Sequence, residues 1–114
     1  MKVSVDTVFL WVTDLESALD WFRRVGIDAG PRHGTWQVMK VDGGPTFALH
    51  EGSRPEGPPT AVVALRVDDL DAEMARLERV GIRPVEDITD TGVSRFATYQ
   101  DPDRNQIQLL ERRT

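Results

Sequence analysis

Along residues 7–12 the chain alternates: Val8, Leu10 and Val12 interleave with Thr7, Phe9 and Trp11. A period of two predicts a strand with two unlike faces, one aliphatic and one aromatic. From Asp14 the period lengthens. Leu15, Leu19, Phe22 and Val25, with Ala18 alongside, recur at helical spacing. Asp14 suits the N-cap of that helix and Gly26 its C-cap. Gly30, Pro31 and Gly34 predict a loop over residues 28–34. Strands are expected from Trp36 to Val41 and from Thr46 to His50, around the turn Asp42-Gly43-Gly44-Pro45. The proline- and glycine-rich stretch 52–60 forbids a regular element and reads as a linker.

The second half repeats this order. Ala61 to Val67 predicts a strand. Asp69 caps a helix that turns Leu70, Met74, Leu77 and Val80 inward and ends at Gly81. Arg83 to Val85 is a short strand candidate, followed by a loop to Thr91. Arg95–Gln100 and Gln106–Glu111 predict a hairpin around Asp101-Pro102-Asp103-Arg104-Asn105. The halves also share residues at constant offset. Leu10, Val12, Asp14, Leu15 and Arg24-Val25-Gly26-Ile27 recur as Leu65, Val67, Asp69, Leu70 and Arg79-Val80-Gly81-Ile82. A half-length unit used twice implies one pseudo-symmetric domain over residues 1–114. Module 1 is residues 1–51, the linker 52–60 and module 2 residues 61–114. The expected fold is α+β: two tandem βαβββ modules forming a curved mixed sheet, a partial barrel, with the helices outside. The faces turned away from the helices would then line a concave cup, where a ligand site is expected.

Composition narrows the function. With 14 basic and 19 acidic residues the net charge is −5, which argues against nucleic acid as a partner and mildly favours cationic or neutral ligands. No cysteine is present, which removes disulfides and thiolate metal sites. No apolar run approaches a membrane span. The opening MKVSVDTV lacks signal-peptide character. The expected setting is cytoplasmic, with no membrane partner.

Val12-Thr13-Asp14-Leu15, Val67-Asp68-Asp69-Leu70 and the run Asp101-Pro102-Asp103-Arg104-Asn105-Gln106-Ile107-Gln108-Leu109 resemble the vicinal oxygen chelate superfamily. That group includes glyoxalase I, extradiol dioxygenases and bleomycin-resistance proteins. The resemblance covers nearly the whole chain, but the fold hosts unrelated activities. It implies up to four metal-ligating stations, which fall here on Thr7, Ala48, Val62 and Gln108. Family enzymes place His, Gln or Glu there. Valine and alanine supply no donor, and two neutral oxygens do not offset the dehydration of a dication. The expectation is therefore no metal and no cofactor. A ligand set of His50 with Glu51 or Glu111 would require a shifted register.

The remaining candidates line the expected cup. Phe9 and Trp11 suit stacking on a planar or cationic ligand, or else fill a subunit interface or closed core. Trp36 is placed to cap the same surface. Phe96 and Thr98 should face inward with Gln108, and the resemblance implies substrate contact there. Ala64 and Arg66 follow Val62 by alternation. Arg66 offers a bidentate anion clamp or a rim ion pair. His50 offers a general base, or only a solvated strand end. Trp21, beside the helical stripe, suggests a subunit contact. Arg104 takes the place of a glycine common in such turns. In a left-handed conformation it would cost about 1–2 kcal/mol.

Two functions remain open. The first, which the missing donors favour, is a small-molecule binding protein, closest in character to bleomycin-resistance members. Its homodimer would sequester an antibiotic or an aromatic or cationic metabolite without chemistry. The second is a metal-dependent lyase, isomerase or dioxygenase with atypical ligands. A regulatory domain with a closed cup is a blander third.

Overall fold

The computed structural model describes residues 5–53 and 62–113. Most of the expected linker and Ala61 lie outside the described residues. These fall into two compact units, one before and one after that stretch. Module 1 runs β1 (Thr7–Val12), α1 (Leu15–Val25), β2 (Ala29–His33), β3 (Trp36–Met39) and β4 (Thr46–Glu51). Module 2 runs β5 (Val62–Arg66), α2 (Leu70–Arg79), β6 (Thr89–Asp90), β7 (Ser94–Gln100) and β8 (Gln106–Arg112). Each module is a βαβββ unit with a four-stranded mixed sheet, ordered β1-β4-β3-β2 and β5-β8-β7-β6. The first strand of each pairs parallel with the last, and the other pairings are antiparallel.

The helices form for local reasons. Asp14 Oδ1 accepts the Glu16 and Ser17 N–H groups, and Asp69 Oδ1 accepts that of Ala72. The α1 C-cap is Gly26, at φ 114°, a left-handed position that glycine enters without strain. The apolar arc of α1 then packs on the aliphatic face of its sheet. Leu15, Leu19 and Phe22 are buried with Leu10, Val12, Phe47 and Leu49, and the Phe22 and Phe47 rings meet at 5.8 Å. Burying a side chain such as Phe22 contributes about 1.5–3 kcal/mol. In module 2, Leu70 and Leu77 pack with Ala97, Tyr99, Ile107 and Leu109 in the same way.

A second carboxylate completes each helix N-terminus. Glu51, on the last strand of module 1, accepts the Leu15 N–H at 2.9 Å. Glu111, on the last strand of module 2, accepts the Leu70 N–H at 3.0 Å. Each answers an N–H that has no partner within its helix, next to a partial positive charge. The symmetric glutamates therefore tie the last strand to the helix.

Several expectations are corrected. Residues 29–33 form a strand, not a loop. β2 is an edge strand, where Pro31 costs no ladder bond, and its register shifts between Ala29 and Arg32. The buried Gln37 amide donates to the Gly30 and Pro31 carbonyls at 2.8 and 3.2 Å, completing that irregular edge. Strand β3 ends at Met39, not Val41. Residues 83–85 are not a strand. Pro84 has no N–H, and Val85 alone donates to Thr98 O, at 2.8 Å, so the extra strand is β6. Val80 faces out at 39% exposure, and Ile82, with its N–H on Leu77 O, is buried instead. Trp21 is buried at 6% exposure, edge-on to Phe22, so no exposed indole marks a contact there.

In the 101–105 turn, Asp101 accepts the N–H groups of Asp103 and Asn105 and the Asn105 amide. Burial pushes its carboxyl up from the usual range, against those hydrogen bonds. Arg104 does adopt the left-handed conformation, at φ 67°.

Candidate functional site

The faces turned away from the helices carry the remaining candidates. In module 1, pairing puts Phe9, Ala48 and Val38 in one row, and Trp11, His50 and Trp36 in the next. The large rings of both rows meet. His50 stacks on Trp11 with centroids 4.5 Å apart and planes 21° from parallel. Trp36 meets His50 edge-on at 5.3 Å. Phe9 lies 5.6 Å from Trp11, 5.2 Å from Trp36 and 5.9 Å from His50. These are favoured aromatic geometries.

Two small residues pack close around this cluster. Ala48 is fully buried between the Phe9 and Val38 stations, and its small side chain leaves the space above it to the rings. Gly52 lies against Trp11, and a Cβ there would sit 3.1 Å from the indole ring. Phe9 nonetheless remains 41% exposed. An exposed aromatic surface with polar ring atoms at its edge suits a flat, electron-poor or cationic partner. Thr7 lies on the same face and donates its hydroxyl to Asp6 at 2.6 Å.

Sequence periodicity missed one member. His33 is opposite Trp36 in register, which extends the row to Trp11–His50–Trp36–His33 across four strands. The signal was the two-residue Gly34-Thr35 connection between His33 and Trp36, concealed once 28–34 was assigned to a loop.

Module 2 places its candidates on one face too, with other chemistry. Val62, Ala64 and Arg66 are exposed on β5. Gln108 Nε2 donates to Thr98 Oγ1 at 3.4 Å, and Phe96 pairs with Leu110, the neighbour of Arg66. Arg66 is thus placed by alternation as expected.

The residues present do not fit the divalent metal that the fold allows. Thr7, Ala48, Val62 and Gln108 offer two neutral oxygens, and Gln108 is engaged with Thr98. His50 is stacked on Trp11. Glu51 turns to the helix side of the sheet, away from His50, and Glu111 is spent on Leu70 N–H and on Arg95 at 3.6 Å. Among the described residues no three acidic or histidine side chains converge to hold an ion. No helix among them is long and apolar enough to cross a membrane.

Known proteins place this geometry in context. The family model described as Glyoxalase/Bleomycin resistance protein/Dioxygenase superfamily matches residues 4–109. A solved glyoxalase/bleomycin resistance protein from Catenulispora acidiphila is 30% identical, with TM-score 0.74 over 95% of this chain and 98% of that one. TnmS3, an antibiotic binding protein from Streptomyces sp. CB03234, is 28% identical, with TM-score 0.81 over 99% of each chain. Virulence protein STM3117 from Salmonella typhimurium shares the fold at 19% identity, with TM-score 0.78 over 99% of each chain. No curated protein sequence matches the chain.

Proposed function

The chain belongs to the glyoxalase/bleomycin resistance protein/dioxygenase superfamily, and from that premise we propose that it is a binding protein for a planar aromatic small molecule, working without a metal or cofactor. The observation that carries this reading is the Trp11–His50 stack, flanked by Phe9 and Trp36 on an exposed sheet face. Stacking on such rings requires no nucleophile and no metal, only complementary shape and charge. The net charge of −5 favours a cationic over an anionic ligand. The likeness to TnmS3, described as an antibiotic binding protein, makes an antibiotic or a similar aromatic metabolite the natural ligand class. The same reading takes the working unit to be a cytoplasmic homodimer with no nucleic-acid partner.

A thermal-shift series with planar aromatic antibiotics tests it, because a ligand that binds only the folded state raises Tm by mass action. Trp11→Ala should weaken a true ligand at least about tenfold, or about 1.4 kcal/mol. Unchanged affinity would remove the aromatic face from the site. Stoichiometric zinc, manganese, iron or nickel in the purified protein, lost in Gln108→Ala or His50→Ala, would replace this reading with a metal enzyme. A mass of one chain in light scattering would defeat the homodimer.

A further inference from the structure

Both histidines of the chain, and two of its three tryptophans, occupy one cross-strand row: Trp11 on β1, His50 on β4, Trp36 on β3 and His33 on β2. Adjacent strands lie about 4.8 Å apart, so the row spans roughly 14 Å. That is room for a fused-ring system lying across it. Resting on the binding reading above, we propose that this row selects planar aromatic cations and releases them in acid, with His50 as the specificity-determining residue.

Two ring properties lead there. Neutral imidazole is a flat, uncharged member of the stack, and it sets no positive charge beside a bound cation. Imidazole is also the side chain whose charge changes near neutral pH. An imidazolium at 4.5 Å and 21° from the Trp11 ring is itself a cation over an aromatic face. Protonation therefore gives the indole an internal cationic partner and sets a positive charge beside any cationic ligand. The sign is fixed: cation affinity is full when His50 is neutral and falls as it takes a proton. An anionic aromatic would show the reverse.

Among the described residues of module 1, few other charges face His50. The open side of β1 presents Thr7, Phe9 and Trp11, and that of β3 presents Trp36 and Val38. β2 contributes His33, two strands away from His50. Lys40 continues the β3 parity two rows away and stays cationic throughout. Asp6 holds the Thr7 hydroxyl at the far end. Glu51, though next in sequence, faces the helix and binds Leu15 N–H. Arg32 pairs across to Gln37 and reaches Glu16 on α1, on the other side of the sheet. No carboxylate on the open side of these strands offsets the histidine charge.

The test uses the whole protein at about pH 8 and about pH 5.5, on either side of imidazole titration. Without ligand, tryptophan emission should fall on acidification, because an imidazolium quenches a stacked indole. In His50→Gln that step should be absent, and in His33→Gln largely retained. With proflavine, a planar tricyclic cation, the wild-type Kd should rise about tenfold at the lower pH. The His50→Gln protein should bind equally well at both. Equal or tighter wild-type binding in acid overturns the proposal, as does a pH effect that survives in His50→Gln. Tighter binding of anthracene-2-carboxylate than of proflavine overturns the cation class. If neither probe binds while the emission step persists, the binding reading fails. If proflavine binds with no pH effect, this proposal fails while the binding reading above stands.

Discussion

Module 1 sets Trp11, His50 and Trp36 across three neighbouring strands of its open face, and module 2 sets Arg66, Leu110 and Phe96 at the matching stations. On the opposite faces the two modules agree. Leu49 and Leu109 are buried under their helices, Asp14 and Asp69 cap them, and Glu51 and Glu111 accept from Leu15 and Leu70. The helix-facing side holds what both copies need in order to fold. The open side is released from that demand, and there the copies differ: clustered aromatic and imidazole rings in one, and a cation, an amide, aliphatic groups and a single phenyl ring in the other. Positions on the open face should therefore tolerate substitution better than their helix-facing neighbours.

The largest effect that would sharpen this contrast is on the helix side. Phe22→Ala should lower stability by about 3–5 kcal/mol through lost transfer energy and a cavity, read as a lower urea midpoint. Phe9→Ala, one sheet face away and 41% exposed, should cost well under half of that. Comparable losses from the two would erase the distinction between the faces. Next are the strand-to-helix glutamates. Glu51→Ala removes the acceptor for Leu15 N–H and should cost about 1–2 kcal/mol. Glu51→Gln should recover part of it, because one amide oxygen remains. A stability equal to that of the parent would show that water replaces the carboxylate at no cost. Arg104→Gly should act in the opposite direction. It frees a residue held at φ 67° and should raise stability by about 0.5–1 kcal/mol, the strain relieved less the entropy glycine adds to the unfolded chain.

Both helices, their aspartate caps and the first, third, fourth, fifth, seventh and eighth strands were legible because their signals are local: period, cap and turn chemistry. The rings of Phe9 and Trp11 could be assigned to the open face for the same reason, since alternation from Val8 and Leu10 fixes the side on which they emerge, whereas the side taken by Trp36 is set by its pairing with His50. β2 was not legible. Gly30 and Pro31 oppose a strand locally, and it is the amide of Gln37, several residues on, that accommodates them. His33 was lost with it. Trp21 lies off the ideal helical stripe, and only contact with Phe22 shows that the buried arc of α1 is wide enough to include it. Val80 misled because the helix ends one residue earlier than its periodicity, which hands the inward position to Ile82.

The smallest expected effect concerns the rim of module 2, where Arg95 joins β7 to α2 through Asp71. Module 1 has an analogous surface pair, Arg32 with Glu16. The Arg95 guanidinium, by hydrogen bond first and by charge second, holds the Asp71 carboxyl below its ordinary value of 3.8. A carboxyl with a depressed folded value stabilises the fold above its unfolded value and loses that contribution as pH falls through the folded one. Acidification from about pH 5 to about pH 2 should therefore remove the Asp71 contribution, and Asp71→Asn should remove it at every pH. The pair is solvent-exposed, so salt should screen it and the Tm difference between parent and variant should be slight at about pH 5. Asymmetry between the modules would show here as well: if Glu16→Gln changed the acid limb of the Tm curve as much as Asp71→Asn, the link from Arg95 to α2 would be no different in kind from the module 1 pair.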